Sequence, residues 1–156
     1  MNRSSLTFRK MKRDDQALMT SLSSLSKEWS LWELGSSNPT HADVERWINH
    51  YQYENGEWRI WNLDEKTAFT YHLTKVRNEE PWLGTIIVSQ KGEGIGRLIL
   101  EVLAEEERKK GAKVLYAACP AQCLNWMQFL GKIGFEQYKM DYDEKGNEYL
   151  LLALPL

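Results

Sequence analysis

The chain has 156 residues, 42% hydrophobic and 27% charged, with a formal net charge of −2. That is the balance of one globular domain of ordinary size, 1–156, able to bury a core without disulfides or metal. It argues against a general affinity for nucleic acid or acidic membranes, and no apolar run approaches the ~20 residues that span a bilayer.

The first strand-like stretch is "LTFRKM", Leu6 to Met11, in which apolar and polar residues alternate. A helix follows, with Asp14 or Asp15 as N-cap and Ala17, Leu18, Leu22 and Leu25 at helical spacing. "LGSSNP" interrupts the chain. A second helix begins near Thr40, which caps it, with Val44, Trp47 and Ile48 on one side. "GEWRIWNLD" (Gly56 to Asp64) and "TAFTYHLTKV" (Thr67 to Val76) alternate like strands, and the short "DEK" between them reads as a hairpin turn. After "NEEP", "WLGTIIVS" (Trp82 to Ser89) reads as a more buried strand.

Next comes "SQKGEGIGRLILEVLAEEERKKG", Ser89 to Gly111. Ile95, Leu98, Ile99, Val102 and Leu103 mark one face of a helix that Gly111 ends. "KVLYAAC" is a strand, "AQCLNWMQFLGKIG" a helix stopping near Gly134, and "FEQYKMDYDEKGNEYLLLALPL" a hairpin turning around Lys145 and Gly146. The order β-α-α-β-β-β-α-β-α-β-β describes an α+β fold: a mixed, mostly antiparallel sheet flanked by helices.

A buried strand, a glycine loop and an amphipathic helix make an anion site. The first helical turn has N–H groups without helical partners, and the aligned peptide dipoles leave positive charge there. Gly92, Gly94 and Gly96 give a phosphate room to approach, and Lys91 and Arg97 flank it. A Walker loop is absent, and the dinucleotide G-x-G-x-x-G fails because position 97 is Arg. A tight turn without ligand is the plainer alternative.

At these residues the chain resembles the GNAT superfamily, the acetyl-CoA-dependent N-acyltransferases. "KGEGIG" (Lys91 to Gly96) is similar to the family's [QR]-x-x-G-x-[GA], with Lys91 in the Gln/Arg place. "NWMQFLGKIGFE" (Asn125 to Glu136) is similar to its later motif, an Asn followed by a helix closing on "GF". The resemblance implies a GNAT-like sheet whose fourth and fifth strands, here Thr85 to Ser89 and Lys113 to Cys119, splay to admit the pantetheine arm of acetyl-CoA. It puts the pyrophosphate on the amides of Gly92, Glu93, Gly94, Ile95, Gly96 and Arg97. Lys91 and Arg97 would add charge, and Asn125 would help hold the cofactor. Phe129 joins that set, with core packing as its alternative. The implied reaction is direct attack of an amine on the thioester, with a backbone N–H near Ile87 or Val88 steadying the oxyanion.

Two departures bear on catalysis. The position that often carries a Tyr to protonate the thiolate is Leu130 here, leaving Tyr116, Cys123 and Tyr138 as acid candidates. The family often places a Glu where this chain has Trp82, so the base candidates are Glu80, Glu79 and His72. Each has a structural alternative: a wet turn for the glutamates, a strand side chain for His72.

The early helices build the acceptor wall in the resembled family. Trp29, Trp32 and Glu33 are the substrate candidates, with Glu28 and Asp43 also able to attract a cation. The expected partner is a small-molecule amine or a peptide N-terminus, not nucleic acid or membrane, and a homodimer stays open. Cys119 and Cys123 lack metal-type spacing to His41, His50 or His72 and read as ordinary thiols, so no metal is expected. Two cysteines and no exporting apolar segment point to the cytoplasm. The rival reading is a non-catalytic acyl-CoA-binding sensor.

Overall fold

The computed structural model describes residues 5–50, 56–77, 80–89 and 94–156. The alternating stretches become a seven-stranded sheet of order β1-β2-β3-β4-β5-β7-β6. The strands are β1 Thr7–Lys10, β2 Gly56–Leu63, β3 Lys66–Arg77, β4 Glu80–Val88, β5 Val114–Pro120, β6 Glu136–Tyr142 and β7 Glu148–Pro155. All neighbours are antiparallel except β4 and β5. The β2–β3 hairpin turns where "DEK" foretold it: Leu63 pairs with Lys66, and Asp64 takes a left-handed φ of 55°.

Among the described residues five α-helices accompany the sheet: α1 Gln16–Ser24, α2 Lys27–Leu34, α3 His41–His50, α4 Ile95–Lys109 and α5 Leu124–Ile133. One more helix forms than the sequence pattern predicts. The extra one is α2, in "KEWSLWEL", where apolar residues are too scattered to mark one face. It follows α1 after Leu25 and Ser26, and it stops at Gly35, whose φ is 83°. The Ser30 hydroxyl donates to Ser23 O (2.7 Å), tying α2 back to α1. Thr40 caps α3 as expected: Asp43 N–H donates to Thr40 Oγ1 (3.2 Å) and Thr40 N–H donates to Asp43 Oδ2 (2.9 Å). Asp15 does not cap α1 with its side chain. Its carboxylate takes both Arg9 nitrogens at 2.7 Å and the Lys12 amide at 2.7 Å, pinning a 3-10 turn between β1 and α1.

The helices cover opposite faces. Met19, Leu22, Trp29, Val44 and Trp47 from α1, α2 and α3 pack on Ile60, Phe69 and Ile87. On the other face, Ile95, Ile99, Leu100 and Leu103 of α4 and Leu130 of α5 pack on Trp61, Leu83, Ile86, Leu115 and Leu152. Each such side chain contributes roughly 1.5–3 kcal/mol on burial.

A charged cluster ties α4 to the sheet. Arg59, 5% exposed, donates to Glu106 (2.6 and 3.2 Å) and to Glu57 (3.0 Å). His72 pairs with Glu57 across the hairpin, with Nε2 to Oε2 at 3.5 Å. Burial first, and then the Arg59 guanidinium, push the His72 pKa from its usual 6.5 down to about 4, against the pull of Glu57 and Glu106. The native state therefore refuses a proton that the unfolded chain accepts below pH ~6.5. Stability contributed this way is full above that pH and is lost as pH falls toward 4. The slope is about 1.4 kcal/mol per unit and the total roughly 3 kcal/mol. His72→Gln should flatten this acid limb. Urea midpoints of both proteins at neutral pH and near pH 4.5 measure it, and parallel losses would show that His72 titrates normally.

Candidate functional site: a cleft between β4 and β5

β4 and β5 stay paired over only two positions, Trp82 with Tyr116 and Leu83 with Ala117. Beyond them the strands part. At the parting, Gly84 is an extra residue in β4: Tyr71 opposes Thr85 while His72 opposes Leu83. A Cβ on Gly84 would lie 2.7 Å from the Tyr71 ring, so a bare backbone is required there. The opening leads into a cavity of about 530 Å³ bounded by β4, the start of α4, the start of α2 and one side of α5.

The β4 wall has free backbone. Ser89 N–H donates to Thr67 O (2.8 Å). Antiparallel alternation then turns Ile87 to β3 as well, and turns the amides of Ile86 and Val88 to the cleft. Of the two amides expected from sequence, Val88 faces the opening and Ile87 is spent on β3; Ile87 reaches the cavity through its side chain. Ile86 was not anticipated, because the bulge that sets this phase is invisible in "WLGTIIVS".

The α4 end holds the candidate anion site. Gly94 caps α4 with φ 81°, a left-handed conformation open to glycine, and its C=O accepts from Leu98 N–H (3.1 Å). Gly94, Gly96 and Arg97 line the cavity. Ile95 does not; its side chain is buried in the core. The absent side chain of Gly96 serves packing as well: a Cβ there would sit 2.9 Å from Phe129 Cζ. Phe129 stacks on Trp126 (5.7 Å), and both line the cavity with Asn125. Arg97 is exposed and reaches Glu101 at 3.5 Å. Lys132 adds a second cation that local sequence did not suggest, because α5 carries it in from 35 positions further along than Arg97. Lys91, Gly92 and Glu93 lie outside the described residues.

The opposite end is acidic. Ser26, Glu28 and Trp29 of the α1–α2 corner line it beside Cys123, the N-cap of α5. The Cys123 thiol is buried, and burial first, then the Glu28 carboxylate beside it, push its pKa up to about 12. Cys119, also buried, is likewise held at about 12. Among the described residues, no group of three or more His, Cys, Asp or Glu is placed to hold a metal. No helix among them is long and apolar enough to cross a membrane.

Several candidates stand elsewhere. His72 is 3% exposed in the cluster beneath α4 and does not line the cavity. Glu80 begins β4 on the paired side of the parting, outside the cavity lining, and Glu79 is outside the described residues. Tyr116 stacks on Trp82 (5.1 Å) and touches Tyr138 (5.6 Å); neither tyrosine lines the cavity. Leu130 is 1% exposed within the α4–α5 core, so a tyrosine there would have to push core atoms aside. Trp29 reaches the cavity and stands edge-on to Trp47 (5.1 Å). Trp32 packs against the α4–α5 core, and Glu33 accepts from Trp47 Nε1 (3.1 Å) as part of helix packing. Asp43 is committed to the α3 cap and an ion pair with Arg46.

No protein-family model matches the chain. The uncharacterized protein YkzC of Bacillus subtilis (strain 168) is 36% identical over 118 residues, 73% of this chain and 82% of its own length. The structure of AAC(6')-Ib in complex with ribostamycin and coenzyme A superposes with a TM-score of 0.75 at 18% identity, covering 97% of this chain and 93% of that one. Spermidine N-acetyltransferase from Vibrio cholerae, in complex with CoA and spermine, superposes at 0.70 with 13% identity, covering 97% and 96%. The chain belongs to the same family as YkzC of Bacillus subtilis, and it has the fold of the acetyltransferases on which it superposes.

Proposed function

We propose that residues 1–156 form one N-acetyltransferase domain that moves an acetyl group from acetyl-CoA to the amine of a small molecule or a peptide N-terminus. The observation that carries this is the two-ended cleft: a glycine-opened helix start with Arg97 and Lys132 at one end, Glu28 at the other, and unpaired β4 backbone between. The residues fit acetyl-CoA. The amides at the start of α4 suit a diphosphate, with Arg97 and Lys132 as counter-charges. The edge of β4 at Ile86 and Val88 suits an amide-bearing arm that adds like a strand. Acetyl-CoA supplies the acyl group as a thioester. Proteins of the same fold have been solved with CoA beside ribostamycin or spermine, which supports an amine acceptor.

Direct attack by the amine fits better than an acyl-enzyme. Cys123 is the cysteine in the cleft, and with its pKa near 12 it stays a thiol at neutral pH, a poor nucleophile. A primary amine with pKa ~10.4 must shed a proton, at a cost of roughly 4–5 kcal/mol at pH 7. Glu28 is the carboxylate at hand to receive it.

One observation favours the second reading, an acyl-CoA sensor: among the described residues no tyrosine lines the cleft to protonate a leaving thiolate. Coenzyme A calorimetry combined with thiol release on a panel of amines separates the two. Binding with turnover establishes the transferase, binding without turnover on any amine the sensor, and no binding overturns both.

A further inference from the structure

We propose that β6 is a self-pairing edge through which two copies of this chain join their sheets antiparallel about a twofold axis at Met140. β6 ends the sheet, all seven of its residues are exposed, and among the described residues nothing pairs with its outer edge. Tyr138, Met140 and Tyr142 are 49%, 47% and 59% exposed, so three large apolar side chains crowd one short edge. A strand edge of this kind is a template for another strand unless something blunts it. Here the guards are one bulge, one lysine and one local bond: the β6–β7 register shifts at Tyr138, Lys139 follows, and Asp141 Oδ1 accepts from the Tyr142 N–H (2.8 Å), a bond a partner strand would have to replace.

The charges select the occupant and the register. From Lys139 to Tyr142 the strand is regular against β7. Directly opposed residues in an antiparallel pair share a face, so a twofold axis must pass through a residue and not between two. An axis at Lys139 would set Lys139 against its own copy, and one at Asp141 would do the same with two aspartates. An axis at Met140 opposes Lys139 with Asp141 twice, seats Met140 on Met140, and brings each Tyr142 to the other copy's Tyr138. Neither Lys139 nor Asp141 is engaged in an ion pair among the described residues, and although Asp141 Oδ1 accepts from the neighbouring Tyr142 N–H (2.8 Å), its second carboxylate oxygen is left to meet a lysine. A basic–apolar–acidic triplet is its own complement when read backwards, which is what a second copy of this chain offers and an unrelated strand does not.

The pairing is short, so association is at the weak end of specific interfaces, with a dissociation constant of roughly 10–100 µM. Sedimentation across that range at low salt should show a monomer–dimer equilibrium. Lys139→Glu and Asp141→Lys each oppose like charges and should weaken the dimer roughly tenfold or more. The double variant restores the unlike pairs and should regain the wild-type constant. All three substitutions are on exposed side chains, and circular dichroism checks that the fold is kept. A wild-type chain that stays monomeric overturns the proposal. So does a dimer indifferent to both single reversals, or one that the double variant fails to restore.

Discussion

Gly94→Glu is expected to abolish coenzyme A binding, raising the dissociation constant by at least about a hundredfold, with the fold retained. Gly94 sits at φ 81° as the cap of α4 and lines the cleft. A side chain there costs roughly 1–2 kcal/mol of backbone strain. A carboxylate at a helix N-terminus returns about 0.3–1 kcal/mol through the dipole, so folding loses little. The same carboxylate is fatal to the proposed ligand. It takes the amides and the positive potential that a diphosphate would use, and it repels the diphosphate from the same spot. Gly94→Asn separates charge from strain, since Asn tolerates the left-handed region and carries no charge. Its affinity should stay within several-fold of wild type. Titration calorimetry on the three proteins reads the outcome, and unchanged affinity in Gly94→Glu would remove the diphosphate from this end of the cleft.

What could be read from the sequence, and what could not, follows from how local each determinant is. The α4 face repeats over three turns, and its glycine start and end are contiguous with it, so one stretch of chain contained helix, cap and candidate anion site. The β2–β3 and β6–β7 hairpins carry their turn residues between alternating runs. α2 was missed because its position depends on α1, through Ser30 to Ser23, and on Trp29 wedging against Trp47 and Phe69. Gly94, Gly96, Arg97 and Asn125 were picked out by the sequence and line one cavity, whereas Lys132 joins them only when α5 folds beside α4. The base candidates were harder to place. A histidine in a strand says nothing of the arginine and two glutamates that bury it, and Glu80 is separated from the cleft by the two pairs that close it. The bulge at Gly84 decides which β4 amides face inward, and no residue type announces it.

Glu28→Gln is expected to lower kcat/KM for cationic amines by roughly 10²- to 10⁴-fold, the range of a lost general base, while leaving coenzyme A affinity within about twofold. Glu28 lies beside Cys123 at the start of α5, whereas Lys132 is in the last turn of that helix, so in the proposed reading the Glu28 charge bears on the acceptor and not on the diphosphate. It faces Cys123, which stays protonated and cannot replace it as a proton acceptor. Glutamine keeps the size and the hydrogen-bonding reach and removes only the charge and the basic oxygen. If the carboxylate merely attracts the ammonium group, KM rises and kcat holds, and a neutral-amine substrate loses nothing. If it also takes the proton, kcat falls too, and the residual rate climbs with pH as more of the amine is free base. Steady-state rates against pH, with one cationic and one weakly basic amine, distinguish these outcomes. Equal kcat/KM for both proteins on every amine would remove Glu28 from the acceptor site and leave the test of the glycine end untouched.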